Sequence, residues 1–273
     1  MYICPVCKQP LGFDGRSYRC ADRHCFDIAR KGYVNLLTTT GHNPRTAGDN
    51  ADMVRARTEF LDKGYYMPLA DRLAETISAH VAAGGIVTDS GCGEGFYTVR
   101  CAEKLPDVGF IGIDISKSAV SHCMTRVHIM GLDNCSFAVA SSFDLPIADG
   151  SADAVTSVFA PVTNDEYRRV LKEDGHLIVV SPSPRHLFEL KSAVYDRPYE
   201  NRPNEYSLDS FELADSEVFE YKKNISSQED IYSLFAMTPY FYKTSEEGMA
   251  RLRALDEIDV TCGFCIDVYR KRL

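Results

Sequence analysis

The stretch Asp89-Ser90-Gly91-Cys92-Gly93-Glu94-Gly95 constrains this chain more than any other. It follows the short apolar run Ile86–Asp89 and leads into a helical pattern over Glu94–Leu105, so it reads as the turn from a buried strand into a helix. Side chains at the glycines would keep a ligand off the backbone, and the helix start offers unpaired N–H groups and a positive dipole end. A glycine-rich turn of this kind belongs at the ligand edge of an open α/β sheet.

The rest of the chain has the matching rhythm. Strands are expected at Phe110–Asp114, Ser136–Ala140, Ala154–Phe159 and His176–Ser181, with helices at Ser118–Met130 and Asp165–Leu171. Helical spacing also runs from about Asn50 to Ala82. After residue 181 the alternation stops. Glu217–Ile225 and Asp259–Tyr269 read as strands closing an antiparallel pair, with helices near Gln228–Leu234 and Glu246–Leu255. The pattern is that of a doubly wound parallel sheet with an antiparallel end.

The acids around the loop narrow the ligand. Asp89 and Glu94 make it unwelcoming to a pyrophosphate but suit the cationic amino acid end and the sulfonium of S-adenosylmethionine. Asp114 stands 19 residues after Gly95 at the end of the second strand, where a carboxylate can accept hydrogen bonds from both ribose hydroxyls. Ser142, in the run Ser141–Pro146 after the third strand, falls on the adenine side. Val158-Phe159-Ala160-Pro161 ends the fourth strand, where an acceptor would enter. The expected fold is therefore a Rossmann-like class I methyltransferase with a mostly parallel seven-stranded sheet.

Four of the ten cysteines lie within residues 4–25. Cys4-x2-Cys7 and Cys20-x3-His24 supply two closely spaced pairs of ligands of the kind that zinc takes in a tetrahedron, with Cys25 as an alternative fourth. Gly12, Phe13, Gly15 and Tyr18 suggest a hairpin between the pairs. About 36 residues build too small an apolar core to fold alone, so metal ligation would supply folding energy. Cys262 and Cys265 instead sit at i and i+3 of an expected strand, on opposite faces, and make no joint site. The division expected is a zinc module over 1–37, a linker over 38–50 and the methyltransferase domain over 51–273.

The net charge of −9 argues against a general nucleic-acid coat, but residues 1–64 carry +3 and the remainder −12, so an anionic polymer would be held at the N-terminal end. No apolar run is long enough to span a membrane and no secretory signal opens the chain, which points to the cytoplasm.

Taken together, the chain resembles the 23S rRNA (guanine-N1)-methyltransferase family of the RlmA type. The strings that carry the resemblance run along essentially all of it. They are the cysteine and histidine pairs, Gly32-Tyr33-Val34-Asn35-Leu36-Leu37, Gly48-Asp49, Tyr66-x-Pro68-Leu69, the glycine loop, Gly112-x-Asp114-x-Ser116-Lys117, Ala160-Pro161, Pro184-Arg185-His186-Leu187 and Met237-Thr238-Pro239. The resemblance implies Cys4, Cys7, Cys20 and His24 as zinc ligands, and Tyr66, Gly93, Glu94 and His186 as S-adenosylmethionine contacts. It implies transfer of the methyl group to N1 of a guanine in a 23S rRNA hairpin, by a homodimer whose zinc modules help to grip the RNA. Ser90 and Phe143-Asp144 depart from the family pattern.

With those of the loop, the cofactor-binding set expected is Tyr66, Asp89, Gly91, Gly93, Glu94, Asp114, Ser142 and His186. Guanine N1 carries a proton that must leave, and Asp144 and Asp165, both after strand ends, are candidate acceptors. Arg16, Tyr18, Arg19, Arg23, Arg30 and Lys31 are candidate RNA contacts. The alternative is a small-molecule methyltransferase whose zinc module is only structural.

Overall fold

A computed structural model of the protein describes residues 1–38 and 51–272, so most of the expected linker, with Gly48-Asp49, lies outside the described residues. The N-terminal part begins with a three-stranded antiparallel sheet, β1 (Gly12–Phe13), β2 (Ser17–Arg19) and β3 (Cys25–Asp27). The expected hairpin between the cysteine pairs is β1–β2, in which Phe13 faces Tyr18 across the strands. A fourth strand, β4 (Val34–Asn35), leaves this sheet and pairs in parallel with the larger one.

The larger part runs α1 (Ala51–Asp62), α2 (Met67–His80), β5 (Ile86–Ser90), α3 (Phe96–Lys104), β6 (Gly109–Asp114), α4 (Lys117–Met130), β7 (Cys135–Val139), β8 (Ala152–Val158), α5 (Asn164–Val170), β9 (Leu171–Pro182), α6 (Phe188–Val194), β10 (Phe211–Ile225), α7 (Gln228–Ala236), α8 (Glu246–Arg253) and β11 (Ile258–Lys271). The sheet order is β10-β11-β9-β8-β5-β6-β7-β4. Seven strands belong to the larger part, as expected, and the N-terminal part adds the eighth. Only β11 breaks the parallel run, pairing antiparallel with both β10 and β9.

Central strands of such a sheet are covered on both faces and need apolar residues at successive positions. Leu177, Ile178, Val179 and Val180 in β9 and Ala154 and Val155 in β8 are accordingly all buried. Odd and even positions feed two separate cores. Ile178 and Val180 join Phe60, Leu69, Leu73 and Ile77 from α1 and α2, while Leu177 and Val179 join Tyr167 and Val170 from α5.

The single helical run expected over Asn50–Ala82 is two helices. Gly64, at φ +75°, turns the chain between them, and Pro68 sits in the first turn of α2, where its missing N–H has no partner to lose. Elsewhere the expected elements are present, with ends that differ by a few residues, and α6 is a helix that the sequence reading did not expect. The largest extensions are β9, which starts at Leu171, and β10, which starts at Phe211.

Several bonds among the described residues sew the N-terminal part to the larger one. Leu36 N–H donates to Val139 O at 2.9 Å. Tyr2 bridges Ile147, with Ile3 N–H on Pro146 O at 2.9 Å. Lys8, next to the first cysteine pair, reaches Asp144 in the loop after β7 at 2.5 Å.

Candidate active site and metal centre

Strand order reverses at β5, since β6 and β7 lie on one side of it and β8 and β9 on the other. The crevice at the C-terminal ends of the strands opens there. It is a cavity of about 890 Å³, and all eight residues of the expected cofactor set line it.

β5 brings Asp89 to the cavity edge, 4% exposed, where it accepts hydrogen bonds from the hydroxyls of Thr98 and Thr156. Burial raises its pKa to about 6. Beyond it Gly91 and Gly95 adopt left-handed φ values of +81° and +84°, and α3 starts at Phe96 rather than Glu94. Asp114, at the end of β6, accepts Gly93 N–H at 2.9 Å on one oxygen and Ser116 N–H at 2.8 Å on the other. It thereby ties the glycine loop to the start of α4. Ser142 lines the cavity from the loop after β7.

Glu94 is buried, with Oε2 gripped by Arg126 of α4, which also pairs with Asp62 at 2.6 Å. Arg126 thus compensates the charge on one of the two Glu94 oxygens. Burial raises the Glu94 pKa, and Arg126 opposes the rise. Oε1 is buried with no hydrogen-bond partner among the described residues. A buried carboxylate oxygen left this way suits a ligand donor.

Tyr66, just before α2, and His186, after β9, meet across the cavity wall at 3.4 Å between Oη and Nε2. Gly263 N–H donates to His186 Nδ1 at 3.3 Å, which places the ring proton on Nε2, pointing at the tyrosine oxygen. Burial pushes the histidine pKa down to about 3, with the Lys191 charge adding to the effect, and burial also raises that of Tyr66. The pair is thus neutral at physiological pH and leaves the tyrosine proton available to a ligand.

These residues fit S-adenosylmethionine. The cavity has acids near its glycine loop, a carboxylate held at the end of β6, and an orphaned buried oxygen. When bound, that cofactor supplies a methyl group on a sulfonium ready for displacement. The candidate proton acceptors are placed less favourably. Asp144 is exposed and occupied by Lys8, Asp165 is exposed and accepts from Asn164, and neither lines the cavity. Sequence reasoning missed Asn204, Tyr206 and Tyr240, which do line it from irregular segments. Aromatic residues in otherwise polar loops were the one available signal.

In the N-terminal part, one ligand atom each from Cys4, Cys7, Cys20 and His24 fall within 4.8 Å of one another. His24 Nδ1 is 3.5 Å from Cys4 Sγ and 3.3 Å from Cys20 Sγ, and Cys7 and Cys20 Sγ are 3.6 Å apart. A zinc tetrahedron with bonds of about 2.3 Å to sulfur and about 2.0 Å to nitrogen has edges of roughly 3.5–3.8 Å. The quartet fits zinc. Cys25, the alternative ligand, opens β3 exposed to solvent with its thiol 3.8 Å from Asp27.

Of the candidate RNA contacts, Arg16, Arg23, Arg30 and Lys31 are exposed and form no ion pair among the described residues, while Arg19 pairs with Asp14 at 3.0 Å. Tyr18 is half-buried between Tyr2 and the exposed Phe13.

Residues 2–41 match the zinc-ribbon family described as RlmA, N-terminal, and residues 82–238 match a methyltransferase domain. A 23S rRNA (guanine(748)-N(1))-methyltransferase of Streptomyces fradiae is 42% identical over 194 residues, covering 70% of this chain and 66% of that one. A Micromonospora griseorubida protein assigned to the 23S rRNA (guanine-N(1)-)-methyltransferases is 33% identical over 98% of this chain and 96% of its own. A solved structure from Galdieria sulphuraria, described as a sarcosine dimethylglycine methyltransferase, shares the fold with a TM-score of 0.50 and 15% identity, covering 81% of this chain and 98% of that one. With a zinc-ligand quartet, a methyltransferase cavity and relatives matched over nearly its whole length, the chain belongs to the 23S rRNA (guanine-N1)-methyltransferase family of the RlmA type.

Proposed function

We propose that this protein transfers the methyl group of S-adenosylmethionine to N1 of a guanine in a hairpin of 23S rRNA. The observation that carries the reading is the convergence of Tyr66, Asp89, Gly91, Gly93, Glu94, Asp114, Ser142 and His186 on one cavity, whose β7 loop is braced by a zinc module bearing exposed basic side chains. In this reading Asp114 holds the ribose, Ser142 lies on the adenine side, and Glu94 Oε1 and Tyr66 Oη meet the amino acid end. Residues 1–37 serve RNA recognition and 51–273 catalysis, with Val34-Asn35 structurally part of the catalytic sheet. The reading includes a homodimer in the cytoplasm, supported by the family resemblance. Among the described residues, no helix is long and apolar enough to cross a membrane. The test is incubation with methyl-labelled S-adenosylmethionine and unmodified 23S rRNA, followed by nucleoside analysis. Label in 1-methylguanosine is expected; a protein that binds the donor and zinc yet labels no RNA would move the function to a small-molecule acceptor.

Phe159 supports a planar acceptor. It follows β8 at φ +54°, a conformation that costs a bulky residue about 1–2 kcal/mol, and its ring is 43% exposed while lining the cavity. The ring lies 24° from parallel to His186, with centroids 6.5 Å apart, so one face is backed by protein. Base–aromatic stacking is worth about 1–3 kcal/mol. Phe159→Ala should slow transfer about tenfold and leave donor affinity unchanged, and Phe159→Tyr should restore the rate. Equal rates for the alanine variant and the wild type would remove Phe159 from the acceptor site.

A further inference from the structure

Behind the cavity wall lies a lysine that the chemistry above does not use. Lys191, on α6, is fully buried. Its Nζ donates to Tyr199 O at 3.1 Å and Asn201 Oδ1 at 2.6 Å, and stands 4.6 Å from the Tyr199 ring centroid and 4.7 Å from that of Tyr240. Two oxygen acceptors and two ring faces around one amine suit the ammonium form. Among the described residues no carboxylate pairs with it, and Glu200 makes its own ion pair with Arg185 at 3.4 Å. A buried cation without a counter-ion is costly to keep.

The same wall borders a cavity. Tyr199, Asn201 and Tyr240 line a second chamber of about 480 Å³, and this chamber shares Pro182, Asn204, Pro239 and Tyr240 with the main cavity. Asn201 fixes the wall by accepting Tyr240 O–H at 2.7 Å and donating to Ser183 O and His186 O at 2.9 and 3.1 Å. We infer that this chamber receives the acceptor guanine and that Lys191, acting through the Tyr199–Asn201–Tyr240 wall, favours loss of its N1 proton. This inference rests on the guanine-N1 reading above.

The chemistry requires such help. The N1 proton leaves to water, the N1 lone pair forms the bond to the methyl carbon, and the carbon–sulfur bond breaks with its electron pair passing to sulfur. Before transfer the guanine carries a negative charge spread over N1 and O6. With Nζ 4.7 Å behind the Tyr240 ring and a base in contact with the other face, the charges stand about 8 Å apart. At an intermediate dielectric a unit charge at that distance moves an acid by about one to two pH units. Glu200 and Arg202 line the chamber and act on the N1 proton in opposite senses, and the Glu200 charge is met by Arg185. His186 is neutral, Glu189 of α6 is held by Thr261 of β11, and Arg251 of α8 pairs with Asp196. Glu200 is the acid whose charge acts on Lys191, whose own pKa burial lowers. Lys191 touches no acceptor atom and is a positioning residue.

The test is single-turnover transfer to an rRNA fragment at saturating donor, followed from neutral to alkaline pH. In the wild type the rising limb should lie at least about one pH unit below the N1 titration of free guanosine in the same buffers. Lys191→Met should move the limb up by about one unit and lower the neutral-pH rate about tenfold, with donor affinity within about twofold of wild type. Lys191→Arg should recover part of the shift. A methionine variant whose limb coincides with the wild type overturns the inference. So does a wild-type limb at the free nucleoside value, which decides the matter even where the variant does not fold. Absence of 1-methylguanosine from the wild type itself is a different failure, that of the functional reading.

Discussion

Gly91→Ala should weaken S-adenosylmethionine binding at least about 100-fold, measured by titration calorimetry on protein whose circular dichroism shows it folded. Alanine at φ +81° pays a backbone penalty of about 1 kcal/mol relative to glycine. The larger effect is steric. A Cβ on Gly91 would stand 2.5 Å from Ala160 Cβ, and both atoms are fixed by their backbones, so no rotamer change relieves the overlap. Either the glycine loop or the Phe159–Pro161 turn has to move. Movement of the loop breaks its bonds to β6, Gly91 and Cys92 N–H to Ile113 O at 2.8 and 3.0 Å, and pulls Gly93 N–H from Asp114 at 2.9 Å. Two or three misaligned ligand hydrogen bonds, at about 1–1.5 kcal/mol each, give the stated loss. Gly150→Ala is the control, because Gly150 has φ +57° with open space around its would-be Cβ. It should lower stability by about 1 kcal/mol and leave affinity intact. Donor binding by Gly91→Ala within tenfold of wild type would mean that the glycine loop is not the donor's cradle.

The parts of this site that are legible in the sequence are those whose cause is local. A glycine loop announces itself because left-handed backbone and close approach require glycine wherever they occur. Asp114 is found by counting, because the end of the second strand lies next to that loop in any doubly wound sheet. What is missed depends on the far side of a contact. Asp144 looks like a candidate base until Lys8, 136 residues away, is seen to hold it. Spacing alone does not decide between His24 and Cys25; the resemblance picks His24, and the structure agrees, with Cys25 exposed at the start of β3. Lys191 stands in Phe-Glu-Leu-Lys-Ser-Ala-Val, where a lysine reads as solvated. Its burial is created by the loop carrying Tyr199 and Asn201 folding over α6. The helix break at Gly64 is hidden because Phe60, Leu61, Tyr66 and Leu69 all enter one core, so apolar spacing continues across it. Val34-Asn35 is too short to show any period, yet it joins the two parts of the molecule.

That junction makes the metal centre matter beyond its own module. Cys20→Ala should abolish zinc binding, from one ion per chain to essentially none by atomic emission, and reduce transfer to rRNA at least about 100-fold. Cys20 is 7% exposed, with its Sγ 3.3 Å from His24 Nδ1 and 3.6 Å from Cys7 Sγ, so its loss opens the tetrahedron. β1, β2 and β3 have only two or three residues each, too few to hold together by their own hydrogen bonds and packing. Metal ligation, worth about 10–16 kcal/mol in small zinc domains, is what can hold such a sheet. Once the ribbon loosens, the exposed arginines lose their common frame. The Ser141–Ile147 loop also loses Ile3 N–H on Pro146 O and the Lys8–Asp144 pair. Because Ser142 of that loop lines the donor cavity, S-adenosylmethionine affinity should fall as well, by about tenfold. The ion pair alone does not account for this. Its side chains are 52% and 56% exposed, and such a pair is worth at most about 1 kcal/mol. Asp144→Ala should therefore change donor affinity no more than a few-fold while keeping zinc. A Cys20→Ala protein that lacks zinc but binds the donor and modifies RNA like the wild type would show that the ribbon neither grips the substrate nor braces the cavity. Loss of RNA transfer with donor affinity intact would confine its role to substrate recognition.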